Sequence, residues 1–156
     1  MDKSTARPRQ PGAIRKAFLV ALLPTFALFL NAPSAGDAQV TTSITSTTGA
    51  GNLGTTVTQA GNIYDITGGT RPGNGSNLFH SFGDFSVGAG DIGNFLNDTG
   101  LPTSNILGRV TGGNTSNIDG TIQTTGFGNA NLFLVNPSGI VFGPNGSFNV
   151  GGSVSL

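Results

Sequence analysis

Apolar and polar positions alternate in short blocks along most of this chain. Between residues 131 and 146 the sequence runs Asn-Leu-Phe-Leu-Val, then Asn-Pro-Ser-Gly, then Ile-Val-Phe, then Gly-Pro-Asn-Gly. An apolar run, a turn, a second apolar run and a second turn predict strand, corner, strand, corner. The same grammar extends backwards. Strand-like runs fall at 55–59, 62–67, 77–82, 84–87, 93–96, 105–110, 117–123, 130–135, 139–142, 147–150 and 152–156, with Gly, Pro or Asn between most of them. No ten-residue window beyond residue 38 combines a helical period with good helix formers, so this region reads as all-β. Ser104-Asn105-Ile106-Leu107-Gly108-Arg109-Val110 is echoed twelve residues later by Ser116-Asn117-Ile118-Asp119-Gly120-Thr121-Ile122. Repetition at a fixed offset marks a solenoid, and the leading Asn is placed to stack on the next rung as an Asn ladder. A β-sandwich also uses short, evenly spaced strands, but it leans on strict alternation and tight hairpins, which are weak here. The pattern favours a right-handed parallel β-helix.

The first 38 residues are of another kind. Lys3, Arg7, Arg9, Arg15 and Lys16 form a basic stretch, and the 14 residues from Ala17 to Leu30 are apolar and uncharged. Small residues follow, and Gly36-Asp37-Ala38 offers a cleavage site before Gln39. That order is a secretory signal peptide. A membrane anchor is the competing reading, but the stretch is shorter than the roughly 20 residues a spanning helix needs, and it contains Pro24. The expected organisation is therefore a helical signal peptide over 1–38, cleaved between Ala38 and Gln39, and a β-helix domain over 39–156.

Composition narrows the chemistry. From Gln39 onward two arginines, Arg71 and Arg109, stand against five aspartates, a net charge of −3, with no Lys and no Glu. Nucleic acid needs clustered cations and an anionic membrane surface needs a basic patch; neither is present. The chain has no Cys and one His, His80, which removes thiol catalysis, disulfides and the usual zinc sites. Asp84, Asp91 and Asp98 lie seven residues apart, a spacing better suited to solvated corners than to a metal site. His80 lies among Phe79, Ser81 and Phe82 with no acid or nucleophile assignable to it, so it reads as a packed residue. The expectation is a protein that is not an enzyme and carries no cofactor or metal. More than half of the residues after 38 are Gly, Thr, Asn or Ser. Such a composition alone would suit disorder, but eight Phe in strand-like runs supply a core.

The motif Asn136-Pro137-Ser138-Gly139-Ile140 resembles the Asn-Pro-Asn-Gly-Ile signature of filamentous haemagglutinin-type secretion domains, with Ser in the third place as in the cyanobacterial form. Asn77-Leu78-Phe79-His80-Ser81-Phe82 resembles a second conserved block of that family, while its Asn-Pro-Asn-Leu motif has no clean copy. The resemblance runs from about Gln39 to Leu156. It implies a β-helix with extra strands covering its N-terminal end, at the front of a secreted exoprotein or adhesin exported by two-partner secretion. The implied partners are the Sec machinery, an outer-membrane β-barrel transporter with polypeptide-transport-associated domains and, through downstream repeats, host or cell-surface glycans. The implied destination is the cell surface or medium, reached through the periplasm of a Gram-negative-type envelope. A stand-alone surface adhesin or carbohydrate-binding β-solenoid is the alternative. A coil of about 20 residues would give about five or six coils. The final Gly151-Gly152-Ser153-Val154-Ser155-Leu156 reads as a strand without a cap, as expected of a chain truncated at its C-terminus.

Overall fold

A computed structural model of the protein describes residues 39–156; the expected signal peptide over 1–38, including Ala38, lies outside the described residues. Among the described residues there are twelve strands: β1 Ser43–Ser46, β2 Thr55–Ala60, β3 Ile63–Gly68, β4 Asn77–Ser86, β5 Ile92–Leu96, β6 Asn105–Val110, β7 Ser116–Ile118, β8 Thr121–Thr125, β9 Asn131–Val135, β10 Ile140–Phe142, β11 Ser147–Asn149 and β12 Val154–Ser155. They form three sheets. Sheet one has the order β1-β4-β6-β9-β12, sheet two pairs β7 with β10, and sheet three has the order β11-β8-β5-β3-β2. From β6 onward each circuit visits sheet one, sheet two and sheet three in turn, whereas the first passes from β4 to β5 with only a bridge from Val87 to Ile118 on the side of sheet two. All pairings between successive circuits are parallel. The molecule is thus a β-solenoid of about three turns.

The N-terminal end is covered by antiparallel strands. β1 pairs with β4, Ser43 opposite Ser86. β2 and β3 form a hairpin in which Thr55 faces Gly68, and β3 leads into the parallel stack through Ile63 and Ile92. Covering strands of this kind satisfy an edge that would otherwise template further pairing.

The coils are longer than a 20-residue unit. Asn77 stacks under Asn105, 28 residues on, and Asn105 under Asn131, 26 residues on. That length is why 118 residues make about three turns and not five or six. The Asn ladder exists, with Asn105 Nδ2 donating to Asn77 Oδ1 at 2.8 Å and Asn131 Nδ2 to Asn105 Oδ1 at 3.1 Å. The twelve-residue echo plays no part in it. Asn105 lies in sheet one and Asn117 in sheet two of the same coil, so the echo relates two faces and not two rungs.

The core follows from register. Leu78, Ile106 and Leu132 stack in one inward row, and all are buried. Beneath them Phe82, Phe85 and Phe95 pack with centroids 4.9–6.1 Å apart. Such offset and edge contacts add about 0.5–1.5 kcal/mol each beyond area burial. Burial thins along the axis: Ile122 of β8 is fully enclosed, whereas Phe148 above it in β11 is 39% exposed.

Candidate functional site

The corner between β9 and β10 carries residues 136–140. β9 stops at Asn136 because Pro137 has no N–H to continue the ladder. The Gly139 amide donates to the Asn136 carbonyl at 3.0 Å, closing a four-residue turn. Asn136 Oδ1 accepts the Ser138 amide at 2.9 Å, the local side-chain bond that suits Asn to turns. Gly139 has φ +94°, where a side chain would be strained by about 1–2 kcal/mol. The chain then enters β10 with Ile140 opposite Ser116.

This turn is fastened to the coil below it. Asn136 Nδ2 donates to the Asn114 carbonyl and to Ser116 Oγ, both at 2.9 Å. Thr115 Oγ1 donates to the Ser138 carbonyl at 3.0 Å, and the Ser116 amide to the Gly139 carbonyl at 3.0 Å. Ser116 is buried. Pro137, Ser138 and Gly139 are exposed, while Asn136 and Ile140 are half-buried. The motif therefore divides: Asn136 and Ile140 anchor it, and the three residues between them face outward.

The next corner uses the opposite arrangement. The Gly146 amide closes the turn onto the Gly143 carbonyl at 3.1 Å. Here the lower coil reaches up, with Asp119 Oδ1 accepting the Asn145 amide at 3.0 Å. Asn114, Thr115, Ser116 and Asp119 were not singled out by the sequence as partners of these turns. They lie 20 to 26 residues before the groups they bind, and only the coil length would have identified them.

Residues 77–82 lie on β4 and do two jobs by alternation. Leu78, His80 and Phe82 turn into the core, and Asn77 begins the Asn ladder. Ser81 is held from outside, its amide donating to Thr55 Oγ1 at 3.0 Å and its hydroxyl 2.6 Å from Thr47 Oγ1. His80 Nδ1 lies 3.3 Å from Thr55 Oγ1, and its Nε2 is buried without a partner among the described residues. Burial, aided by Arg71 and opposed by Asp98, lowers the His80 pKa from 6.5 to about 4. The ring is therefore neutral at pH 7, a packed residue edge-on to Phe95 at 5.5 Å.

The two blocks do not converge on one site. They are joined by the Asn ladder, which ends with the Ser153 amide donating to Asn131 Oδ1 at 2.9 Å, five positions before Asn136. The aspartates also stay apart. Asp84 accepts from Asn114 at 2.9 Å, Asp91 from Thr42, and Asp65 from Asn94 at 2.6 Å. Among the described residues no group of three or more His, Cys, Asp or Glu side chains could hold a metal ion.

Comparison with known proteins gives one match. The model of the TPS secretion domain aligns with residues 38–155. No curated protein matches the chain, and no solved structure does.

Proposed function

The chain belongs to the TPS secretion-domain family and is the N-terminal domain of a secreted two-partner-secretion exoprotein; from that premise we propose that it is the segment an outer-membrane β-barrel transporter recognises. Residues 1–38 direct the chain through the Sec machinery and are removed between Ala38 and Gln39. The transporter, through its polypeptide-transport-associated domains, takes the domain in the periplasm and passes it outward. Folding at the cell surface then biases movement in one direction, because each coil adds ladder bonds and buried apolar surface to the one before it.

The single observation carrying this reading is the family match across nearly all the described residues. The composition agrees with it. A chain without Cys stays extensible during passage, and few charges after Gln39 ease transit through a pore. Within the domain we assign the secretion motif to Asn136, Pro137, Ser138, Gly139 and Ile140, with Asn77–Phe82 as a supporting block that builds the N-terminal core. The exposed Pro137-Ser138-Gly139 surface is available to a partner, and Asn136 holds it in shape.

The test is expression of the chain with and without its cognate transporter, followed by the extracellular fraction and the mass of the released product. Transporter-dependent release of a product beginning at Gln39 is expected. Equal release without the transporter would overturn the assignment and return the domain to the alternative of a stand-alone surface binding module.

A further inference from the structure

We propose that the outer face of sheet one carries a binding groove for a single-chain anionic amphiphile of the fatty-acid class, with Arg109 taking the carboxylate. Alternation along a strand normally sends polar side chains outward. On this face it does the reverse. Phe79 of β4, Leu107 of β6 and Phe133 of β9 are in register and all face out. They form an apolar row about 10 Å long across three strands. Val135, 54% exposed, lies in the next outward row beside Arg109. The loop carrying Leu53 walls one side, and the open groove has a volume of about 470 Å³, within the roughly 300–1,000 Å³ of small-molecule sites.

Three observations select the occupant. First, β4, β6 and β9 are each paired on both sides. At Phe79, Leu107 and Phe133 the floor therefore offers no free backbone donors or acceptors, β12 covering β9 at Leu132 and Phe133. An extended peptide lying there would bury amides without partners; an alkyl chain buries none. Second, a sugar needs several polar groups around it, and the one hydroxyl in the groove, on Ser81, is already engaged by Thr47. Third, among the described residues Arg109 is the only charged one lining the groove. Arg71 donates to Thr103 Oγ1 at 2.6 Å and to the Pro102 carbonyl, whereas Arg109 makes no side-chain hydrogen bond or ion pair among the described residues. A free guanidinium at the rim of an apolar slot suits one carboxylate, held by two parallel N–H bonds. The net negative charge after Gln39 opposes docking on a broad anionic membrane, so the ligand is a free molecule and not a bilayer.

The experiment is calorimetric titration of the purified chain with dodecanoate below its micellar concentration, repeated with dodecyltrimethylammonium. Saturable one-to-one binding of dodecanoate is expected. The cationic analogue should bind at least tenfold more weakly. Arg109→Gln should weaken dodecanoate at least tenfold, and Val135→Asp, an exposed position, should weaken it further. Absence of saturable binding would overturn the proposal. So would equal binding of the two head groups, or affinity unchanged in both variants, which would mark adsorption elsewhere. Sedimentation of the same samples supplies the remaining arm. A dimer that Val135→Asp converts to monomer would assign the groove to a second copy of the chain instead.

Discussion

The two ends of the described solenoid are held together by different forces. Around β4 and β5 the chain is fixed by packing. Phe82, Phe85, Phe95 and His80 fill the interior, and the antiparallel β1 and β2–β3 hairpin close over them. Around β10 and β11 little is enclosed. Val141 is 54% exposed, and Phe142 and Phe148 touch each other in the open at 5.2 Å. That coil is fixed by polar bonds to the coil beneath it, through Asn136, Asn145 and the Asn ladder. Hydrophobic burial is strong and non-directional, whereas a net hydrogen bond contributes about 1 kcal/mol but specifies geometry. The lower coils can therefore form first and act as a template on which the Asn136–Ile140 corner takes its shape.

Disrupting the packed end should have the largest effect. Phe82→Ala removes a fully buried ring from the aromatic cluster and should cost about 3–5 kcal/mol of unfolding free energy, read from denaturant midpoints. A loss below 1 kcal/mol would mean that the cluster is not the anchor.

Acid should act on the same end. The folded-state pKa of His80 lies below its unfolded value, so the unfolded chain binds more protons in between. Stability from the neutral ring is complete above about pH 6.5 and is lost as pH falls toward about 4. The full loss is about 3 kcal/mol. Denaturant midpoints from pH 7 to pH 4 should show it, and His80→Gln should flatten the slope over that window. An unchanged slope would locate the acid sensitivity elsewhere.

Changes at the polar end should be smaller and local. Asn136→Ala removes two donor contacts and one acceptor contact and should cost about 1–2 kcal/mol. The amide of Ser138 and those of β10 should gain hydrogen exchange while β4 and β5 stay protected. Faster exchange spread evenly through all coils would erase the distinction between the two ends. The smallest effect belongs to Val141→Thr on the exposed face of β10, expected within about 0.5 kcal/mol of wild type.

The sequence shows the packed and polar ends unequally well. Turns built from local chemistry were readable: Pro137 and Gly139 end β9 and begin β10 within a residue of the expected boundary. Boundaries set by distant contacts were not. Residues 117–123 read as one run but form β7 and β8, because the chain corners at Asp119-Gly120. A Cβ on Gly120 would lie 2.3 Å from the Gly88 carbonyl oxygen of the coil below. Conversely, 77–82 and 84–87 read as two runs split by Gly83 but form the single strand β4, which pairs with β1 on both sides of that glycine across a shift in register. β1 itself, Ser-Ile-Thr-Ser, has one buried apolar residue, Ile44, too little pattern to stand out in a Thr- and Ser-rich stretch. Coil length was misjudged for the same reason. Nothing local states that Asn105 meets Asn131 and not a residue 20 positions away. The turn at Asn136–Gly139 was legible by its wording, while Ser116 and Asp119, which hold the two corners, became visible only through the fold.

The most direct measurement tests whether the corner acts in export beyond its part in stability. Asn105→Ala breaks the ladder bonds to both Asn77 and Asn131, a loss comparable to that of Asn136→Ala but at a site away from the exposed turn. Both variants should be expressed with the cognate transporter and their extracellular fractions compared with wild type. A fall of tenfold or more for Asn136→Ala, with Asn105→Ala within about twofold of wild type, is the predicted result. Equal export of the two variants would contradict it and leave Asn136–Ile140 as a structural corner alone.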